Sequence, residues 1–306
     1  MSTSLFLVQM LNGLQLGVLL FLIAAGLTLV FGVMDFINLA HGVQYMIGAY
    51  LAAMFVGWTG NFWIGLALTL PAALMVGLVL ERAVFRRLYG REHLDQILAT
   101  FGLILFLNES VKVIWGAAPL SVPTPDLLSG NVRLVGGVLY PVYRLALIGA
   151  GLLVALGLAW LVNGTRVGML VRAGASDAPM VAALGVDIRQ LFARVAGFGA
   201  MLAGFAGALV APIQSVEPGM GDNLLILAFV VIVIGGVGSV RGAFLGALIV
   251  GLVDVLGRAF GVPALKLVLS GSVASQAARS LAPMLIYIVM AGVLFWRPSG
   301  LFPAKS

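Results

Sequence analysis

Long apolar runs separated by short polar segments make up most of this sequence. A membrane-spanning helix needs about 20 mainly apolar residues. Runs of that kind occur at 5–31, 39–56, 62–80, 96–115, 142–162 and 191–213, with a last one at 281–295. Two shorter runs, 224–235 and 243–256, would reach only about 18 and 21 Å as helices, which predicts broken or re-entrant segments. The pattern therefore predicts an all-α polytopic membrane protein with about eight to nine transmembrane helices, arranged as one transmembrane domain over 1–306.

The composition agrees with a membrane protein. Of the 306 residues 62% are hydrophobic and 9% are charged, whereas soluble domains carry roughly a quarter charged residues. A net charge of +6 would suggest nucleic-acid binding in a soluble chain. Here the arginines concentrate in two loops, which argues against that function. With no cysteine and only two histidines, neither a disulfide nor a thiol or histidine metal site is expected.

The arginines predict the orientation in the membrane. Cytoplasmic loops carry an excess of basic residues. Such residues lie between the third and fourth spans, at Arg82, Arg86, Arg87 and Arg91, and around the fifth and sixth, at Arg166, Arg172, Arg189 and Arg194. The N-terminus is then outside, and the C-terminus is inside if the short pair crosses twice. The Gly- and Pro-rich segment 116–141 becomes the main external loop, and Glu217 and Asp222 mark a smaller one.

Two glycine-interrupted stretches suggest internal symmetry. FGVMDFINLAHG leads into a small-residue helix in the first half, and LLILAFVVIVIGGVGSVRG does so in the second half. Paired interruptions of this kind indicate an inverted repeat with a transport path between the halves. The alternative is a chance coincidence of glycine-rich helices.

The longest polar segment on the predicted cytoplasmic side, 165–190, contains a helix of about two turns. Ser176 or Asp177 can cap its start, Pro179 fits its first turn, and Gly185 can end it in a left-handed conformation. The apolar residues of this helix lie between Arg172 and Arg189, an arrangement that suits docking into a groove of another protein; they are Met180, Val181, Ala183 and Leu184. The alternative is an ordinary loop between two spans.

A second polar cluster interrupts the apolar region 31–50, where Asp35, Asn38, His41 and Gln44 occur together. Polar side chains at membrane depth are costly and mark a functional path by default. In a helix Asn38, His41 and Gln44 would share one face. The competing interpretation is a cytoplasmic turn in which Asp35 is solvated and Asn38 caps the following helix. We favour the cap for Asn38 and leave the role of His41 open.

The other polar residues and motifs carry less information about function. Glu109 with Lys112, and Asp254 with Arg258, have the spacing of helix ion pairs. Asn12 and Gln15 can hydrogen-bond a neighbouring helix. No lysine follows a GxxxxG pattern, so the sequence lacks a P-loop, and it also lacks the GxSxG and HExxH motifs of hydrolases. We therefore do not expect an enzyme.

Several stretches together resemble one family. The runs GLTLVFGVMDFINLAHGVQYMIGAYLA, RAGASDAPMVAALGVDIRQLFARVAGFGAMLAGFAGAL, GGVGSVRGAFLGALIVGLVD and FWRPSGLF are similar, in order and spacing, to permeases of branched-chain amino-acid ABC importers of the LivH/LivM type, and more to LivH. The resemblance implies a bacterial inner-membrane subunit that imports a small solute. It also implies a LivM-like second permease, two ABC ATPases and an extracytoplasmic solute-binding protein as partners.

The same resemblance assigns roles to residues. It makes 172–185 the cytoplasmic coupling loop that contacts the ATPase, with Arg172, Asp177, Met180, Ala183, Leu184 and Gly185 as its site residues. No cofactor is expected in this chain, because ATP and Mg²⁺ would bind the partner ATPases. Val43 and Asp35 depart from the family pattern, so urea, short amides or aromatic acids are alternative solutes. An ion-coupled transporter or channel that uses Asp35, Glu109 or Asp254 is the alternative of another class.

Overall fold

The computed structural model describes residues 3–134, 137–267 and 269–302. Its helices are α1 (Thr3–Met34), α2 (His41–Thr59), α3 (Phe62–Ala83), α4 (His93–Trp115), α5 (Val142–Gly164), α6 (Arg166–Ala183), α7 (Ile188–Val210), α8 (Asp222–Gly235), α9 (Val240–Leu265) and α10 (Gly271–Trp296). In the described part of the chain, 7 helices are long and apolar enough to cross a membrane. The all-α polytopic prediction is confirmed.

Helix α1 forms the centre of the bundle. From Val18 to Val30 every residue of α1 is buried, and the helix packs along α9, α7, α5 and α8. A helix that is apolar on all sides is buried by its neighbours. Helices α2 and α7 complete the centre, and α3 packs against both.

The outer helices face away from the bundle with large apolar side chains. Val113 of α4, Leu153 of α5 and Phe295 of α10 are 86%, 71% and 83% exposed. Surfaces of this kind are stable against hydrocarbon but not against water. The burial pattern therefore indicates a ring of lipid-facing helices around a buried centre.

The two ends of the bundle differ in charge. The arginine-rich connection between α3 and α4 lies at the same end as the start of α7, since the rings of Tyr89 and Phe192 are 5.4 Å apart. We call this the basic end. At the opposite end the segment after α4 contains a two-stranded antiparallel sheet, β1 (Asn131–Arg133) with β2 (Leu139–Pro141). That end also holds a backbone bridge between Leu120 and Val216.

Three predicted boundaries are wrong. Helix α9 has 26 residues rather than a short apolar run, because Arg258 pairs with Asp254 at 2.8 Å and the helix continues past both charges. Helix α10 begins at Gly271, ten residues before the apolar run. Residues 166–176, expected to be loop, form the first part of α6. In each case the helix includes a polar stretch that the apolar pattern alone excludes.

Candidate functional site

Residues 35–40 form the first interruption of the bundle, between α1 and α2. Two of its backbone N–H groups are satisfied by side chains of α4: Ile37 donates to Gln96 Oε1 at 3.1 Å and Leu39 donates to Thr100 Oγ1 at 3.3 Å. Non-helical backbone inside a membrane protein requires such partners. The first interruption is therefore held along the first turns of α4.

His41, the first residue of α2, lies deep inside the bundle and is fully buried. Its Nε2 is 3.0 Å from the carbonyl oxygen of Ile23. A Cβ at Gly26 would lie 3.0 Å from this imidazole and 2.6 Å from the carbonyl oxygen of Gly199. Gly199 is the middle residue of α7, which runs from Ile188 to Val210. Helix α2 thus begins near the middle of the bundle rather than at its surface.

The buried polar side chains here are not all satisfied. Asn38 and Gln44 are 1% and 3% exposed, and their Oδ1 and Oε1 atoms have no hydrogen-bond partner among the described residues. Leaving such a group unpaired costs about 1–3 kcal/mol. Both oxygens are enclosed in the isolated chain and are unpaired there.

Residues 211–221 form the second interruption, between α7 and α8, and it contacts the first turns of α2, just after the first interruption. Gly219 N–H donates to Met46 Sδ at 3.3 Å, and a Cβ at Gly42 would lie 2.6 Å from the carbonyl oxygen of Gly221. Only glycine allows two backbones to approach this closely. Helices α2 and α8 therefore both begin at one point inside the bundle.

The structure separates the four residues predicted for the path. His41 and Gln44 share a face of α2, whereas Asn38 lies before the helix. The predicted Asn38 cap is wrong: Ala40 occupies the N-cap position and no side chain caps the helix. Asp35 is exposed at the basic end, as the turn interpretation expected, and is 3.8 Å from His93. It has a φ of 49°, unusual for a residue other than glycine.

Sequence reasoning missed Gln96 and Thr100. Gln96 also donates from Nε2 to the carbonyl oxygens of Leu88 and Arg91, at 3.3 and 3.2 Å, so it links the first interruption to the connection between α3 and α4. The two residues are four apart in the first turns of an apolar span and are both buried. The i, i+4 spacing of Gln96 and Thr100 could have identified them from sequence, because it places both side chains on one face of the helix.

An aromatic cluster at the basic end joins the first interruption to α7. The ring of Phe36 lies 5.2 Å from Phe85 and 5.5 Å from Tyr89, and Tyr89 lies 5.4 Å from Phe192. Tyr89 also donates its hydroxyl to Glu81 at 3.4 Å. Burial, and secondarily the Glu81 carboxylate, raise the pKa of Tyr89, so the phenol keeps its proton and remains a donor.

The predicted short helix in 165–190 is present as the last part of α6. Asp177 is non-helical, and its Oδ1 accepts from Met180 N–H at 2.8 Å, so Asp177 rather than Ser176 is the cap. Gly185 ends the helix with a φ of 89°. Val181 packs inward, while Met180 and Leu184 are 58% and 78% exposed and Ala183 is exposed beside them. We call residues 177–185 the docking helix.

Two predicted ion pairs form as expected. Lys112 Nζ is 2.6 Å from Glu109, and Arg258 holds Asp254. Asn12 accepts from Tyr140 and Arg144 of the opposite-end region, as predicted for a polar residue between elements. Within the described ranges, no group of three or more His, Cys, Asp or Glu residues could hold a metal ion.

Long apolar helices surrounding two interruptions define a multi-pass membrane transport protein. The chain belongs to the family described as branched-chain amino acid transport system / permease component, whose model matches residues 9–294.

Curated relatives agree with this family. The chain is 33% identical to the high-affinity branched-chain amino acid transport system permease protein BraD of Pseudomonas aeruginosa, covering 82% of this chain and 86% of the relative. It is 30% identical to the corresponding protein LivH of Escherichia coli K12, over 83% and 87%. A probable LivH of Methanocaldococcus jannaschii is 28% identical, over 78% and 76%. No solved structure gives a significant match.

Proposed function

We propose that this chain is a permease subunit of an ATP-driven ABC importer for branched-chain amino acids. The observation that carries the proposal is the family match over 9–294, with relatives named as high-affinity permeases of that transport. The partners are a LivM-like permease, two ATPases that bind ATP and Mg²⁺, and a solute-binding protein. The chain lies in the bacterial inner membrane with its basic end in the cytoplasm.

The docking helix supports the assignment of the ATPase contact. Its exposed residues Met180, Ala183 and Leu184 lie at the basic end, where no described element of this chain covers them. An amphipathic helix of this kind fits a groove on a partner. On this proposal, closure of the ATPases moves the docking helix and, through it, the start of α7.

The ion-coupled alternative has less support. Glu109 and Asp254 each have a basic partner on the same helix, and Asp35 is exposed near His93 at the basic end. An intramembrane ion site requires an acidic group that faces the path. Import of urea, short amides or aromatic acids remains the alternative within the family.

The proposed contact between the docking helix and the ATPase is tested by introducing negative charge on the docking helix. Replacing both Ala183 and Leu184 with Asp should leave the protein inserted but release the ATPase subunits, because two carboxylates would have to be buried in the contact. The measurement is recovery of ATPase subunits with the affinity-tagged permease from detergent-solubilised membranes.

Leu127→Asp is the control, since Leu127 is 82% exposed at the opposite end. It should leave the ATPase bound. Equal ATPase recovery from wild type and from the double Asp variant would refute the docking contact.

A further inference from the structure

Asp222, the first residue of α8, has an unusual position for a charged side chain. It is exposed, as is Asn223 beside it. No described residue forms an ion pair or a hydrogen bond with its carboxylate. This acidic group thus differs from Glu109 and Asp254, which both have basic partners.

The depth of Asp222 follows from its neighbours. Gly221 is in backbone contact with Gly42, next to His41, and His41 lies beside the middle residue of α7 through Gly26 and Gly199. On another helix, Leu39 bonds Thr100, which lies seven residues after His93 in the 23 residues of α4, about a third of the way along it. These contacts place the start of α8 inside the bundle, between about a third and a half of the way along the neighbouring helices from the basic end.

A carboxylate exposed at this depth is incompatible with a lipid-facing surface. Charged side chains at the bilayer centre face a bundle interior or a water-filled cavity, and they mark substrate pathways. The exposed start of α8 must therefore border either water or another subunit in the assembled protein.

We propose that Asp222 lines the solute path on the side that faces the second permease, and that its carboxylate binds the protonated amine of the solute. This inference rests on the proposed importer function and deepens it. A carboxylate favours a solute with an ammonium group, such as an amino acid, over neutral urea or simple amides. The unpaired oxygens of Asn38 and Gln44 belong to residues three before and three after His41 in the chain.

Accessibility is tested by cysteine labelling, for which this chain is suited because it contains no cysteine. In the assembled importer, Asp222→Cys should react with a membrane-impermeant cationic thiol reagent. Leu153→Cys is the lipid-facing control, at the middle of α5 and 71% exposed. Only a hydrated thiol ionises and reacts, so we expect labelling at 222 to be at least about tenfold faster than at 153. Equal rates at the two positions would overturn the proposal.

Charge recognition is tested by uptake of leucine into vesicles containing the reconstituted importer. Asp222→Asn should reduce ATP-dependent uptake at least about tenfold, the usual loss for a hydrogen bond to a charged group. Asp222→Glu should retain most of the uptake. Asp126→Asn, a control at an acidic residue outside the bundle in the segment after α4, should have no effect.

Three outcomes separate the inference from the function on which it rests. Undiminished leucine uptake by Asp222→Asn would overturn the inference and leave the importer function intact. Loss of the second permease from purified Asp222→Asn would also overturn it, because the carboxylate would then hold a subunit rather than a solute. Absence of ATP-dependent leucine uptake by the wild-type complex would instead refute the proposed function.

Discussion

Gly42 shows how much a single residue contributes to the centre of this protein. A methyl group at this position would lie 2.6 Å from the carbonyl oxygen of Gly221 and 2.9 Å from the side chain of Leu225. The first neighbour is backbone and cannot move without displacing the second interruption. The starts of α2 and α8 meet at Gly42 and Gly221 only because neither of these residues has a side chain.

Gly42→Ala should therefore lower thermal stability in detergent, with a cost of about 1–3 kcal/mol typical of overpacked cores. Gly149→Ala in α5 is the matched control, since nothing lies within 4 Å of its added methyl group. That variant should be neutral or slightly stabilising, because alanine favours helix. A melting temperature for Gly42→Ala equal to that of wild type would contradict the close contact.

The two histidines allow a second comparison at this scale. His41 is buried with its Nε2 on Ile23, whereas the side chain of His93 is 58% exposed. His41→Ala should lower solute uptake without lowering recovery of the ATPase, since it removes a polar group at the meeting point. His93→Ala should change neither quantity. If a His41→Ala variant inserts into the membrane and still takes up solute normally, His41 has only a packing role.

At the scale of elements, the aromatic cluster connects the start of α7 with the first interruption. Tyr89 contacts Phe192 on α7 and Phe36 in the first interruption, and α7 begins five residues after the last residue of α6. A displacement at the start of α7 would therefore be passed to residues 35–40 through ring contacts.

Tyr89→Ala tests this connection. It should leave the ATPase bound but lower uptake at least about threefold, within the range of coupling changes seen for such mutations, so that more ATP is hydrolysed per solute imported. Tyr89→Phe keeps both ring contacts and should retain coupling. Phe62→Ala, a buried aromatic at the opposite end of α3, is the control. An unchanged ratio of ATP to solute in Tyr89→Ala would exclude the route.

The sequence predicted those elements whose signals are local. The docking helix was predicted from Asp177, Pro179 and Gly185. These residues lie within nine positions of one another, and their backbone preferences do not depend on the rest of the fold. The gap between α7 and α8 was also predicted, as a small external loop marked by Glu217 and Asp222, but its contacts inside the bundle were not. Its position depends on contacts with Gly42 and Met46, about 180 residues earlier in the chain, and no local pattern records them. Asn38 was misassigned for the same reason, because its local preference for a cap is overridden by burial. The candidate inverted repeat remains a prediction.

At the scale of the whole molecule, the features described above are distributed between the two ends and the interior of the bundle. The docking helix and the aromatic cluster occupy the basic end, the contact between the starts of α2 and α8 lies inside the bundle, and the Leu120–Val216 bridge lies at the opposite end. The basic end is thus in contact with the first interruption, and the opposite end is in contact with the second. An importer that opens one side at a time requires this separation of inner and outer contacts.

The burial of α1 has a consequence for biogenesis. It is the first of the described helices to leave the ribosome, yet two of the helices that enclose it, α7 and α9, are synthesised more than 150 and 200 residues later. During that interval α1 has to be accommodated by lipid or by the insertion machinery, which its uniformly apolar surface permits. The helix made first therefore reaches its final surroundings only after α9 has been made.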